Sequence, residues 1–342
     1  MGELGNTVRL PEQLGYLPTA EFESQYCTST SDLAELVLKY YSLLESHMRR
    51  HYFRNGTKIL AYIWKHPVSK MNRFAAISRF ARWQIASRIL PVPMSLPFVE
   101  GTTLVTERSM TGATGNFYTG LHEFGDMGFL LHFLRSQDLF VDVGANIGSF
   151  TVLASGVAQA RSISIEPVPS TFARLTRNMD TNHLNGLVTA FCQAAGANRG
   201  SIRFSIDRDS VNQAVQEDYQ GKSMEVPVVP LDETLRGQAP CLWKIDVEGF
   251  ELEVLRGASS SLDESNLRAV LLEGDSPEIE IVMKRSGFER SSYNPLNREL
   301  KRVSDKTVAG RQSINNLWIR DFDFVAARCS QSRRFKIYDC EF

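Results

Sequence analysis

Asp142, Gly144, Asn146 and Gly148 fall at alternate positions in residues 139–151, which read Leu-Phe-Val-Asp-Val-Gly-Ala-Asn-Ile-Gly-Ser-Phe-Thr. A short apolar run of strand type leads into the two glycines, and residues 149–157 follow with apolar side chains at helical spacing. A strand, a glycine turn and a helix start therefore coincide. Backbone N–H groups at such a turn can face a ligand with no Cβ in the way. The next strand-like run, residues 162–165, ends in Glu166-Pro167. A carboxylate has two acceptor oxygens, enough to hold both hydroxyls of a ribose. A dinucleotide fingerprint would read G-x-G-x-x-G, with its acid on the following strand. Here an acid lies inside the first strand and Asn146 replaces the middle glycine. An NAD-dependent oxidoreductase is disfavoured on that ground.

The acid, the two glycines and the second acid resemble the first motifs of class I S-adenosylmethionine (SAM) methyltransferases. More acids end later strand-like runs: Asp246 and then Glu248 after residues 242–245, and Glu273 after residues 269–272. Open parallel sheets bind ligands at the carboxyl ends of their strands, where these acids fall. The methyl of a sulfonium is already activated. An enzyme must hold the acceptor oxygen in line with the S–CH₃ bond and take its proton, and alignment alone lowers such barriers by roughly 7–11 kcal/mol in favourable cases. His122, Asp246, Glu248 and Glu273 are the candidate bases. Histidine has the most suitable unperturbed pKa. Asp246 and His122 rank first for contact with the acceptor. Some sugar O-methyltransferases of this class bind magnesium, and Asp246, Glu273 and Asp275 would supply three oxygens for Mg²⁺. Acids without a metal are the favoured reading.

The elements that must position these groups alternate between strand and helix from residue 139 onward. That pattern predicts a Rossmann-like, mostly parallel α/β sheet with helices on both faces. Strands are expected at 139–143, 162–166, 187–192, 242–245, 269–272 and 316–319, with further β-type segments at 202–206 and 224–229. Residues 98–118 read as short strands. Residues 121–134 read as a helix carrying His122 and Glu123. Before the prolines at 91, 93 and 97 the pattern is helical: about 32–48, 57–64 and 71–89. The third of these is expected to bury Phe74, Ile77, Phe80, Ala81 and Ile85. A helical N-terminal extension, residues 1–97, thus precedes a catalytic domain, residues 98–342.

The composition is that of a globular protein, with a net charge of −1 that favours no nucleic acid globally. No apolar run reaches the roughly 18 residues of a membrane span. The N-terminus lacks a signal core. Five scattered cysteines match no zinc spacing, so reduced thiols in the cytoplasm are the simplest reading. The extension is locally basic. Between residues 31 and 97, four lysines (39, 58, 65, 70) and seven arginines (49, 50, 54, 73, 79, 82, 88) face only Asp32, Glu35 and Glu45. A solvated face is the plain reading. A surface for an anionic substrate, carrier or headgroup is the sharper one.

Five stretches together resemble one family, the FkbM-type methyltransferases: Gly120-Leu-His-Glu-Phe, the Asp142–Gly148 motif, Ile165-Glu-Pro-Val-Pro, Leu231-Asp-Glu-Thr-Leu, and Lys244-Ile-Asp-Val-Glu-Gly-Phe-Glu-Leu-Glu-Val-Leu-Arg-Gly. The resemblance spans about residues 98–320. It implies O-methylation of a hydroxyl on a sugar, glycoconjugate or natural product, with SAM as donor. It puts Asp142, Gly144, Asn146 and Gly148 around the methionine and ribose of SAM, and Glu166 on the ribose diol. Gln193 would contact the adenine edge and Glu123 the methionyl ammonium; solvent-facing roles compete at both. Asp246 and Glu248 would wall the methyl-transfer site. After the fourth core strand the chain reads Asp-Val-Glu-Gly, not the Pro-Pro-aromatic stretch of nucleic-acid amino methyltransferases, which argues for another acceptor. The resemblance implies a hydroxyl on a small molecule or glycan, with an anionic or carrier-bound acceptor as an alternative. A SAM-binding module without catalysis, recruited through the basic extension, is the rival from another class.

Overall fold

A computed structural model describes residues 58–89, 92–107, 110–205, 221–303 and 315–342. The first expected helix, at about 32–48, and Cys27 lie outside the described residues. Residues 63–342 form one compact unit.

After helical residues 58–65, close to the expected 57–64, and a 3-10 turn (Ser69–Met71), helix α1 (Arg73–Ile89) is followed by the antiparallel pair β1 (Met94–Pro97) and β2 (Thr103–Thr106). Two helices come next, α2 (Thr111–Thr119) and α3 (Phe124–Phe133). The central sheet then begins with β3 (Leu139–Val143). It is followed by α4 (Ser149–Val152), which runs on as a π turn over Leu153–Val157, then β4 (Arg161–Ile165), α5 (Pro169–Thr181) and β5 (Val188–Phe191). A side sheet follows: β6 (Ala194–Ala195), β7 (Gly200–Ser205) and β8 (Ser223–Val229). The chain returns through α6 (Leu231–Thr234), β9 (Leu242–Ile245), α7 (Glu251–Arg256), α8 (Ser259–Asp263), β10 (Ala269–Leu272) and α9 (Pro277–Arg285). It ends with β11 (Glu289–Asn294), β12 (Glu299–Arg302), β13 (Asn316–Ile319), α10 (Phe322–Ser330) and a short hairpin of β14 (Lys336–Ile337) and β15 (Cys340–Glu341).

The central sheet has the order β12-β11-β13-β10-β9-β3-β4-β5. The run from β10 to β5 is parallel, while β13, β11 and β12 pair antiparallel at one edge. Strands β3, β9 and β10 are buried along their whole length, as expected for parallel strands covered on both faces. One face packs on α3, α4 and α10 through residues such as Phe129, Phe133, Phe150 and Val325. The other packs on α7, α8 and α9 through Val254, Leu262, Ile279 and Met283. Strand order reverses at β3, which lies between β4 and β9 in the sheet. The crevice at the carboxyl ends beside that reversal is where such a sheet accommodates a ligand.

Three expectations need correction. Residues 98–118 are not all strand: β2 ends at Thr106 and residues 111–119 are helical. The polar strands β11 and β12 are not among those expected: they lie at the antiparallel end of the sheet, β12 on its edge and β11 between β12 and β13, and lack the apolar alternation that would have announced them. Helix α1 is turned from the face expected: Ile77 and Phe80 are half-buried, Phe80 against Tyr118, but Phe74, Ala81 and Ile85 are exposed. Ala76, Trp83 and Ser87 point inward, while Phe74 is 83% exposed and Ile85 61% exposed. Both faces carry apolar residues, so spacing alone could not choose between them. Trp83 settles the packing by lying against Phe117, with ring centroids 6.3 Å apart. Arg79 reinforces it, donating to the Tyr118 carbonyl at 3.0 and 2.9 Å and stacking 3.6 Å from the Tyr338 ring centroid.

Candidate active site

The turn after β3 is bent by Gly144, at φ +77°, whose N–H donates to the Ile165 carbonyl at 2.9 Å. A Cβ at Gly144 would lie 1.8 Å from the Asp246 carbonyl oxygen, so only glycine lets the ends of β3 and β9 close this tightly. Asn146 follows at φ +52°, a conformation that asparagine tolerates better than most residues. Gly148 then caps the start of α4.

Two cavities meet at this turn, and Gly144, Asn146 and Asp246 border both. The first is lined by Glu166, Pro167, Val168, Gln193, Phe204 and Phe250, among others. Glu166 is 6% exposed and held by backbone donors: Asn146 N–H to Oε2 and Val168 N–H to Oε1, each at 3.0 Å. Burial pushes its carboxyl up to about 7, although both N–H groups favour the anion. Each oxygen keeps a further lone pair for an outside donor. Gln193 donates to the Thr234 hydroxyl at 3.0 Å, leaving its carbonyl toward the cavity it lines.

The second cavity lies under α2 and includes Met110, Ala113, Asn116, His122, Glu123, Phe150 and Lys244. His122 and Glu123 sit not on a helix but in the turn between Gly120 and α3. His122 packs so closely on Gly115 that a Cβ there would lie 2.4 Å from Nδ1. Its backbone N–H donates to Asn116 Oδ1 at 2.7 Å, and burial holds its pKa below the ordinary value. Glu123 accepts from Asn315 Nδ2 at 2.9 Å. Burial pushes Glu123 up to about 7; Lys244 pulls down, while Asp126 and Asp246 push up.

Asp142 lies below this turn and is absent from both linings. It is 1% exposed and accepts from the Thr151 hydroxyl at 2.7 Å. Asp142 and Lys244 are register partners on the neighbouring strands β3 and β9, so their side chains share the face covered by α3 and α4. Lys244 is the buried cation that makes this arrangement affordable. Its ammonium lies 2.7 Å from Asp246 Oδ2 and 4.8 Å from the Phe150 ring centroid. Burial opposes its charge, but Asp246, Asp142 and Glu123 outweigh that and hold its pKa above the usual lysine value.

Asp246, Glu248 and Glu273 converge, with one oxygen of each within 4.8 Å of the others. Glu273 is pushed up to about 9, first by its hydrogen bond to Asp246, then by burial and the charges of Asp246, Glu248 and Glu251. Burial also acts upward on Asp246, yet Lys244 and the bond from Glu273 hold it below the ordinary value. The two acids are pushed in opposite directions: Lys244 favours the charged form of Asp246, and Asp246 favours the neutral form of Glu273. Glu248 stands at φ +53°, and burial with Asp246 and Glu251 raises its pKa. Asp275, expected beside this group, instead forms a two-point ion pair with Arg290, at 3.2 and 2.6 Å. The oxygen set proposed for Mg²⁺ is thus not assembled. Within the trio that is assembled, Asp246 already has a cation, the Lys244 ammonium.

The sequence pattern passes over Lys244, Asn116 and Asn315. A signal for Lys244 exists: a lysine inside Leu-Trp-Lys-Ile, a strand buried on both faces, must have an anionic partner. Asn116 and Asn315 carry no local signal.

The Methyltransferase FkbM domain model matches residues 142–319. Over 140 residues the chain is 33% identical to the hexuronic acid methyltransferase AglP of Haloferax volcanii; the match covers 40% of this chain and 56% of that one. The chain therefore spans little more than half the length of this relative. It is 25% identical to Methyltransferase 1 of Beauveria bassiana, over 46% of this chain and 77% of that one. Among solved structures, the FkbM methyltransferase of Methylobacillus flagellatus matches with a TM-score of 0.38 and 17% identity, over 71% of this chain and 59% of that one. The matched domain takes in more than half of the 342 residues, from the acid of the first core strand to the end of β13, and the chain belongs to the FkbM methyltransferase family.

Proposed function

We propose that the protein is a SAM-dependent O-methyltransferase acting on a hydroxyl of a sugar, glycoconjugate or natural product. The observation that carries this reading is the position of Asp246: it borders both cavities, and the Lys244 ammonium 2.7 Å from its Oδ2 favours its charged form. The nucleoside of SAM takes the first cavity, with Glu166 accepting from the ribose hydroxyls and Gln193 near the base. The methionyl end crosses Gly144 toward Glu123. The sulfonium methyl then stands beside Asp246, and the acceptor enters along the edge formed by Asp246 and Glu248.

In the reaction a lone pair on the acceptor oxygen forms the new C–O bond as the S–CH₃ bond breaks. The sulfur keeps that bond's electron pair, giving S-adenosylhomocysteine. The acceptor's proton passes to Asp246. A carboxylate with a depressed pKa is a weak base, but the oxygen becomes strongly acidic as it gains the methyl. A weak base placed in line therefore suffices. His122, kept neutral by burial, orients the α2 wall of the second cavity. Residues 98–342 do the chemistry in this reading, and residues 1–97 extend it. The hexuronic acid named for the archaeal relative supports a sugar as the first acceptor class to try. The free thiols of Cys192, Cys241, Cys329 and Cys340 support a reducing, cytoplasmic compartment. Incubation with methyl-labelled SAM and a panel of hexuronic acids, neutral sugars and their glycosides tests the proposal. Transfer to a hydroxyl is expected from the wild type and not from Asp246→Asn. SAM binding by calorimetry without transfer to any member of the panel would favour the non-catalytic module.

A further inference from the structure

Helix α1 shows an apolar face that the rest of residues 63–342 leaves bare. Phe74, Ala81, Ile85 and Ile89 recur at helical spacing and fall within about 80° of arc at 100° per residue. All four are exposed, Phe74 by 83% and Ile89 by 70%. The helix is anchored from its other side by Ala76, Trp83 and Ser87, so this face points away from the body. Trp64, Met71 and Val92 add exposed apolar surface before and after it. Most of the large exposed apolar side chains among the described residues fall between Trp64 and Val92; the others are Leu60, Ile281, Leu296 and Phe324.

The charge around this face is one-sided. Residues 63–99 include Lys65, Lys70, Arg73, Arg79, Arg82 and Arg88 and no aspartate or glutamate. By helical geometry Arg82 falls on one flank of the stripe and Arg88 on the other. Their apolar stems can lie along the stripe while the guanidinium groups reach outward. Asp339 meets Asn72 at the anchored side of the helix start, and no acid lies on the segment itself. An apolar stripe bordered by cations in this way is the pattern of a helix lying in the plane of an anionic bilayer surface. A protein partner would need an apolar groove rimmed by acids, and a second copy would bring like charge against like. None of the helices among the described residues is long and apolar enough to cross a membrane, so the contact is peripheral.

We infer that helix α1 is a membrane-surface helix, with Phe74, Ile85 and Ile89 entering the interface of an anionic phospholipid bilayer while Arg82 and its basic neighbours meet the headgroups. The inference does not depend on methyl transfer, because its readout is partitioning. The full chain is sedimented with sucrose-loaded vesicles of phosphatidylcholine, with and without phosphatidylglycerol. Binding is expected only with the anionic lipid, and it should weaken as salt is raised. Phe74→Glu should lower the partition coefficient by about tenfold or more. Arg82→Glu should do so by at least about fivefold, the contribution of one basic residue near such a surface. Both variants should keep the wild-type melting temperature without vesicles, since neither side chain is buried. No binding to anionic vesicles, or equal binding to neutral ones, overturns the inference. So does a melting temperature lowered by Phe74→Glu, which means that the first 62 residues cover the face, or a dimer that this variant dissolves.

Discussion

The two cavities that meet at Gly144 and Asp246 are built from different materials. On the Glu166 side the functional carboxylate is fixed by main-chain N–H groups at strand and helix termini. On the Lys244 side, charged side chains fix one another: the ammonium stands among Asp246, Asp142 and Glu123, and Asn315 braces Glu123. Backbone donors hold their position whatever the neighbouring side chains are. A buried network of side chains fails as a unit when one member is removed. The Glu166 side should therefore tolerate change piecemeal, and the Lys244 side should not.

The sharpest way to break this contrast is Lys244→Met. It leaves Asp142, Glu123 and Asp246 without their cation, and losing one partner of a buried ionic group costs about 3–5 kcal/mol. A chemical denaturation midpoint essentially equal to wild type would mean that the acids relieve themselves by taking up protons. Next comes Asp246→Asn, which keeps shape and removes the charge. Turnover should fall about 10²-fold or more, with SAM affinity nearly unchanged; near-normal turnover would reduce Asp246 to a helix-start residue. On the other side, Glu166→Ala should weaken SAM binding by about 1.5–3 kcal/mol and leave the fold intact, because the freed N–H groups of Asn146 and Val168 face a cavity that water can enter. Calorimetry that finds the same affinity would remove the ribose assignment.

The smallest effect is one of pH. Glu166 and Glu123 are both raised from 4.5 to about 7 in the folded chain. Their neutral forms favour the folded state, so this contribution is complete below about 4.5 and is lost as pH rises through about 7. The ligand-free protein should melt progressively lower across that window. SAM affinity should move the opposite way, rising up to about 7 and levelling above it, because the ribose hydroxyls and the methionyl ammonium prefer the anions. Glu166→Gln and Glu123→Gln should each flatten part of the slope. A flat profile in the wild type would mean that neither group changes charge on binding.

The parallel strands and the acids at their ends were legible in the sequence because each strand is an uninterrupted apolar run that stops at a charge. The side on which a residue falls was much less legible. In a strand buried on both faces, alternation carries no inside and outside, so Asp142 was expected beside the ligand and lies beneath the turn, bonded to Thr151. Helix α1 failed in the same way, because apolar residues occupy both of its faces. The cluster around Lys244 needed β3 and β9 to be neighbours, and that pairing joins residues far apart in the chain. Asp275 was misassigned because nothing local announces Arg290 as its partner.

The near-contact of Gly144 with the Asp246 carbonyl also limits how such an enzyme can be redesigned. A library that varies position 144 moves both cavity walls together, so donor and acceptor preference cannot be selected separately there. Met110, Ala113 and Asn116 on α2 and the segment before it touch only the second cavity. In the proposed pose that wall faces the methionyl end of SAM, so recutting it changes how the donor is held, while Glu248, on the acceptor edge, lines only the first cavity and can be varied apart from it.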